Sequence, residues 1–122
     1  MFSLSNGDEY LNFSREKEGL LTVEGKSSFL TAYAEMYVSN EVLMDFYEKL
    51  HVAYRKCSGT VAECFGYDDD FCLKLSFDNW GHVTVETKII RWGELVNRCE
   101  LRFRTDQTYV QEFLRDMKKE LS

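Results

Sequence analysis

Between Phe29 and Val38, apolar and polar side chains alternate along the chain. The apolar side of this run consists of Leu30, Ala32, Ala34, Met36 and Val38. The other side carries Thr31, Tyr33, Glu35 and Tyr37. A period of two is that of a β-strand with one buried face, so the run predicts a strand covered by a helix on its apolar side and exposed on its tyrosine side. Two shorter β-prone runs, Tyr10–Phe13 and Leu20–Val23, precede it.

In two segments the apolar residues recur every three or four positions, which is the pattern of an amphipathic helix. We expect the first to begin with Asn40 as its N-cap. Its apolar positions are Leu43, Phe46, Tyr47, Leu50, Ala53 and Tyr54. Basic residues in its last turn, followed by Gly59, indicate its end. The second helix follows the capping pair Thr105-Asp106, and its apolar positions are Val110, Phe113, Leu114, Met117 and Leu121.

Four segments between these helices alternate again and are separated by short turns. They are 60–67, 71–77, 83–89 and 97–103. Short turns between successive strands imply antiparallel pairing. The sequence therefore predicts an α+β fold in the order β-β-β-α-β-β-β-β-α, an antiparallel β-sheet with two amphipathic helices packed on one face. Because the chain has no proline and no glycine-rich linker, we expect residues 1–122 to form a single domain.

Acidic residues outnumber basic ones by 21 to 15, which gives a formal net charge of -6. A nucleic-acid-binding protein needs a basic face, whereas Arg98, Arg102 and Arg104 beside Glu100 make only a short stripe, so we expect no nucleic-acid partner. The first residues lack the regions of a signal peptide, and no apolar run is long enough to span a bilayer. We therefore expect a cytoplasmic protein with no membrane partner, whose acidity suits attraction to a basic partner.

Residues that carry catalytic chemistry are scattered along the chain. No glycine-rich phosphate loop, nucleophile elbow or metal-spaced His/Cys set occurs, so we predict neither an enzyme nor a bound cofactor or metal. The four cysteines contain no C-x-x-C pair and are predicted to be reduced core or strand residues. A Cys72–His82 dyad across a hairpin is the catalytic alternative. Asp68-Asp69-Asp70 lacks the spacing of a Ca²⁺ loop, which favours a solvated turn or a partner-binding loop.

Motifs in the second half of the chain resemble the WapI-like family of bacterial immunity proteins. The matching features are Phe46–Leu50, Gly59 with Ala62, the strand–turn–strand 73–85 with Gly81-His82-Val83, and the closing run Leu101–Val110, LRFRTDQTYV. The resemblance covers residues 29–121. It implies a stand-alone protein, encoded beside a polymorphic toxin, that binds the C-terminal domain of the toxin and blocks it. Such toxins are often nucleases with basic clefts, which an acidic inhibitor complements.

The resemblance carries over no binding residues, because its matched positions are caps, turns and core. We expect the interface among acids and aromatic residues on the helix-free sheet face and at the loop tips, a composition that suits a basic partner. The candidate partner-binding residues are Tyr33, Glu35, Tyr37, Glu63, Tyr67, Asp68, Asp69, Asp70, Asp78 and Trp80. The alternative for Trp80, and for Trp92, is that each plugs an end of the sheet core.

Two further classes of function stay open at this point. One is a small ligand-binding or protein-interaction module unrelated to toxins, and the other is an enzyme. The oligomeric state is open as well, because an unprotected sheet edge can pair with a second copy, giving a dimer, or with the toxin.

Overall fold

The computed structural model describes residues 1–17 and 19–122. Its elements in chain order are β1 (Phe2–Ser5), β2 (Tyr10–Lys17), β3 (Leu20–Ser27), β4 (Leu30–Tyr37), α1 (Asn40–Lys56), β5 (Gly59–Phe65), β6 (Phe71–Phe77), β7 (His82–Arg91), β8 (Asn97–Asp106) and α2 (Gln107–Leu121). The predicted α+β class and antiparallel pairing are confirmed. The structure adds β1, whose four residues carry too short a pattern to be recognised in the sequence.

The strands form two sheets, each an antiparallel meander. Sheet A has the order β1-β2-β3-β4 and sheet B the order β5-β6-β7-β8. In sheet B, one row of side chains that lie side by side on the inner face is Val61, Leu75, Val85 and Phe103. The next row points the other way and consists of Ala62, Lys74, Glu86 and Arg102. The period-two pattern therefore gives sheet B an apolar inner face and a charged outer face.

The inner faces of both sheets and the apolar sides of both helices share one core. Near its centre, Phe13 of sheet A lies edge-to-face with Phe71 of sheet B, with ring centroids 5.9 Å apart. Phe113 of α2 meets Phe13 at 5.7 Å, and Phe46 of α1 meets Phe65 at 5.6 Å. Burial of each such side chain stabilises the fold by roughly 1.5–3 kcal/mol. The helices thus pack against a core to which both sheets contribute.

The helix ends follow local capping chemistry. Asp106 is the N-cap of α2, as predicted, and its Oδ1 accepts hydrogen bonds from the backbone N–H of Thr108 at 2.9 Å and of Tyr109 at 3.3 Å. The N-cap predicted for α1 is wrong by one residue, because Ser39 Oγ accepts from the backbone N–H of Val42 at 3.3 Å and Asn40 is already helical. Hydroxyl and carboxylate acceptors satisfy the same unpaired N–H groups, so neighbouring capping residues are hard to distinguish in a sequence.

Side chains of sheet A bind the outer edge of β8. Ser27 Oγ donates a hydrogen bond to the carbonyl oxygen of Arg102 at 2.7 Å, and Asn6 Nδ2 donates to that of Arg104 at 2.9 Å. Both carbonyls would otherwise be unpaired at a sheet edge. These contacts join the two sheets. They also order Glu9, whose Oε1 accepts from Asn6 Nδ2 and whose Oε2 lies 2.8 Å from Ser27 Oγ, so that the single hydroxyl proton of Ser27 is shared between Glu9 and the Arg102 carbonyl oxygen.

The prediction of four reduced cysteines is wrong for one pair. Cys64 and Cys72 lie directly opposite each other on β5 and β6, with their Cα atoms 4.0 Å apart, and are joined by a disulfide. Cys57 and Cys99 are free thiols. The same register removes the Cys72–His82 dyad, since Cys72 Sγ is bonded to Cys64 and His82 lies at the opposite end of the β6–β7 hairpin, paired with Asp106.

Across residues 1–17 and 19–122, no helix has the length and apolar character needed to cross a membrane.

Candidate functional site

A cleft opens where β4 of sheet A meets one end of sheet B. One wall is formed by β4, and the other by the β5–β6 loop and the end of β7. The lining residues are Tyr33, Ala34, Glu35, Asp68, Asp70, Ile89, Ile90, Arg91 and Trp92, and the volume is about 520 Å³. Three carboxylates and one guanidinium lie among them, so the lining carries a net negative charge. We name this site the acidic cleft.

Backbone geometry fixes the β5–β6 loop against β4. Gly66 has a φ of 92°, and a Cβ on it would lie 3.1 Å from Asp70 Oδ2 and 3.4 Å from Met36 Cβ. Glycine therefore lets the loop approach β4 closely. At the other end of the loop, the carbonyl oxygen of Asp70 accepts a hydrogen bond from the backbone N–H of Ile90 at 2.8 Å. The loop is held at both ends and presents Tyr67, which is 99% exposed, to solvent.

A second loop, between β7 and β8, continues the same surface. Trp92 Nε1 donates a hydrogen bond to the carbonyl oxygen of Asp68 at 3.1 Å, which places the two loops side by side. Residues 92–96, which we name the apolar loop, expose Trp92 by 53%, Leu95 by 81% and Val96 by 55%. These three apolar side chains lie within five consecutive residues. The sequence analysis did not name Leu95 and Val96 as candidate site residues. The signal for them is an apolar pair directly after Gly93-Glu94, in a segment that breaks the strand pattern.

The alternative interpretation of the tryptophans as core plugs is wrong for both. Trp92 lies on the cleft wall, and Trp80 is 83% exposed in the β6–β7 turn.

The electrostatics of the cleft favour a cationic partner. Tyr33 Oη donates a hydrogen bond to Glu35 Oε1 at 3.1 Å. Desolvation raises the pKa of Tyr33 first, and the hydrogen bond to Glu35 and the charges of Glu35, Glu16 and Glu24 raise it further. The phenol therefore stays a neutral hydrogen-bond donor at physiological pH beside an anionic carboxylate. A guanidinium or ammonium group is the natural complement of such a carboxylate.

None of the residues that line the acidic cleft is a histidine or a cysteine. Within the described residues, no three His, Cys, Asp or Glu side chains are grouped so that they could hold a metal ion.

The structure brings some candidate residues together and separates others. Tyr33, Glu35, Asp68 and Asp70 line the acidic cleft, with Tyr67 and Asp69 on the loop between them and Tyr37 further along the same face of β4. In contrast, Glu63 turns towards α1, where its Oε2 lies 3.9 Å from Lys49 Nζ.

Asp78 and Trp80 lie at the opposite end of sheet B, in the β6–β7 turn. The seven residues of β6 separate the two ends by roughly 20 Å. Asp78 Oδ1 accepts hydrogen bonds from the backbone N–H groups of Trp80 at 2.8 Å and His82 at 3.0 Å. Desolvation alone would raise the pKa of Asp78, but these bonds outweigh it and lower the pKa. Asp78 therefore helps to shape its own turn.

The sequence model of the WapI-like family of immunity proteins matches residues 16–122. The chain belongs to this family. It is thus an immunity protein that neutralises a toxin, and the family resemblance identified from the sequence is confirmed. Among curated proteins, none matches the chain.

One similar solved structure is a chain of the CdiA-CT/CdiI toxin and immunity complex from Enterobacter cloacae. The TM-score is 0.53 with 14% sequence identity, over 98% of this chain and 99% of that chain. At this identity the similarity shows a shared fold over the whole length and says nothing of individual contacts.

Proposed function

We propose that this immunity protein binds the C-terminal toxic domain of its cognate toxin through the acidic cleft, the β5–β6 loop and the apolar loop. Binding covers the active site of the toxin, and no catalysis by the immunity protein is involved. The partner surface is basic, as in the substrate-binding cleft of a nuclease. The complex forms in the cytoplasm.

The observation that carries this proposal is the meeting of acidic and apolar exposed groups at one end of sheet B. Interfaces of high affinity combine buried aromatic anchors with charged groups around them. Trp92 and Tyr67 have the size of such anchors, and Asp68, Asp69 and Glu35 lie around them. A stable interface buries roughly 800 Å² on each partner, which a cleft with two adjoining loops can provide.

Charge also favours this surface for rapid association. A net charge of -6 attracts a basic domain from a distance, and the acidic cleft orients the final approach. The fold shared with a chain from a toxin and immunity complex further supports a toxin as the partner.

A growth assay tests the proposal. The C-terminal domain encoded by the gene directly upstream is induced in cells with and without this protein, and the two proteins are then co-purified. We expect growth to be rescued and a stoichiometric complex to form. Toxicity without rescue and without a complex would refute the function proposed for this pair.

Two matched variants then locate the surface. Trp92→Ala removes an exposed tryptophan from the acidic cleft, and Trp80→Ala removes one from the opposite end of sheet B. We expect the Trp92 variant to lose at least about 1.4 kcal/mol of binding free energy, a tenfold change in Kd. Loss of binding only in the Trp80 variant would move the interface to the β6–β7 turn.

A further inference from the structure

The sheet edges differ in how well they are covered. At one edge of sheet A, β1 is short and packs against α2, where Phe2 meets Phe113 with ring centroids 5.5 Å apart. In sheet B, β5 packs beside α1, and side chains of sheet A bind the carbonyl groups of β8. Within residues 1–17 and 19–122, β4 is the edge strand that packs least against the helices, and no side-chain hydrogen bond reaches its backbone.

The alternating direction of the backbone N–H and C=O groups along β4 shows which of them do not bond to β3. The backbone N–H of Val38 donates to the carbonyl oxygen of Gly19 at 2.8 Å, so residue 38 faces β3. In an antiparallel pair, residues alternate between bonding to the partner strand and pointing away from it. The register is regular from Leu20↔Tyr37 to Ser27↔Leu30, so the same alternation continues along the whole of β4. The N–H and C=O groups of residues 31, 33, 35 and 37 therefore point to the free edge.

The sequence of β4 lacks the usual protection of a free edge. Natural edge strands carry lysine, proline, a bulge or inward-pointing charges that prevent pairing with other chains. The strand reads LTAYAEMY, with Glu35 as its single charge, no proline and no register shift. The free N–H groups of Tyr33 and Glu35 belong to residues that also form a wall of the acidic cleft.

We propose that an extended segment of the toxin adds a strand to the free edge of β4. This rests on the function proposed above. Backbone hydrogen bonds to residues 31–37 supply affinity, and specificity comes from side chains at every second position of the toxin segment. Those side chains are basic, because they meet Glu35 on β4 and Asp68 and Asp70 across the cleft.

The charge of the cleft selects the toxin over a second copy of this chain as the occupant. Pairing of β4 with β4 of another copy brings together two clefts that each carry a net negative charge, and like charges at short range disfavour such a contact. A basic segment gains from the same carboxylates.

Amide hydrogen exchange followed by NMR tests the pairing directly. In the free protein, we expect the amides of residues 31, 33, 35 and 37 to exchange rapidly and those of residues 32, 34 and 36 to be protected by their hydrogen bonds to β3. After addition of the purified, catalytically inactive toxin domain, we expect exchange of the first set to slow by about tenfold or more. Exchange that stays rapid in a saturated complex would overturn the strand-addition proposal while leaving the immunity function intact.

A pair of variants provides an independent readout. Tyr33→Ala removes the side chain, whereas Tyr33→Pro also removes the outward N–H, which proline tolerates at a sheet edge. We expect Tyr33→Pro to bind the toxin domain about tenfold more weakly than Tyr33→Ala, with both folded by circular dichroism. Equal Kd values of the two variants would overturn the proposal. So would protection of these amides that rises with protein concentration in the absence of toxin, because it would show that β4 pairs with a second copy. Failure of the wild type to bind would instead refute the proposed function.

Discussion

Neutralising the β5–β6 loop tests whether its charge steers the toxin. Replacement of Asp68, Asp69 and Asp70 by Asn keeps side-chain size and changes the formal net charge from -6 to -3, since each substitution removes one negative charge. In water, two unit charges about 10 Å apart interact by about 0.4 kcal/mol. Three carboxylates at that distance from one basic centre contribute about 1.2 kcal/mol without screening, roughly eightfold in Kd.

Salt sets how much of that effect is seen. The Debye length falls from about 30 Å at 0.01 M to about 8 Å at 0.15 M, which leaves roughly a fourfold effect at low salt and a twofold effect at physiological salt. Association rates measured by stopped flow at both ionic strengths should show the loss in the on-rate, because exposed charges act mainly on encounter.

The matched control for this experiment removes three exposed carboxylates outside the acidic cleft, by Asp8→Asn, Glu48→Gln and Glu112→Gln. It makes the same change in net charge. An equal loss of association rate in both triple variants would show that overall charge, and not the loop, steers the toxin. An unchanged rate in the Asn variant at 0.01 M salt would refute a role of the loop in encounter.

Three other predictions concern stability. Gly66→Ala should lower the free energy of unfolding in urea by about 1–2 kcal/mol more than Gly59→Ala. Both glycines have positive φ, but of the two only Gly66 would place an added Cβ against neighbouring atoms. Equal losses would contradict the close packing of the loop. Reducing the Cys64–Cys72 disulfide should lower stability by up to roughly 2–3 kcal/mol from loop entropy, and reductant should leave the melting temperature of Cys64→Ser unchanged. Hydrogen bonds from Asn6 and then Ser27 lower the pKa of Glu9. Its contribution to stability is therefore fully present above the ordinary pKa of 4.5 and is lost as pH falls through the lowered pKa. Glu9→Gln should make the free energy of unfolding fall less steeply with decreasing pH in the acidic range, and an unchanged slope would contradict this.

The period of hydrophobic residues was enough to predict most elements, because burial on one face dictates period two in strands and three to four in helices. The α2 cap at Asp106 and the exposed tyrosine side of β4 followed from local chemistry alone. The helix expected over the apolar side of β4 packs against β5 and α2 instead, and leaves Leu30 46% exposed. The division into two sheets did not follow from local chemistry, since a period of two shows that a strand is half-buried but not whether β4 and β5 pair with each other across α1. Strand β1 was missed because four residues carry too little pattern.

The candidate site was only partly accessible from sequence. Acid and aromatic composition pointed to Tyr33, Glu35 and the β5–β6 loop, but their meeting in one cleft depends on the contact of β4 with sheet B. The separation of Asp78 and Trp80 from that cleft likewise depends on strand direction. Cys64 and Cys72 face each other because the β5–β6 loop has a length that sets them in register, and composition cannot show register.

The hydrogen bonds that join Ser27 and Asn6 to β8 also set the order in which the molecule can be completed during synthesis. Sheet A ends at Tyr37 and the later of the two acceptors is the carbonyl group of Arg104, so 104 − 37 = 67 further residues must be made before both bonds can close. At roughly 5–20 residues per second, this takes about 3–13 s. During that time the inner face of the nascent sheet A has neither a complete sheet B nor α2 to cover it. Slow translation of β5–β8 should therefore lower the yield of folded protein more than slow translation of β1–β4.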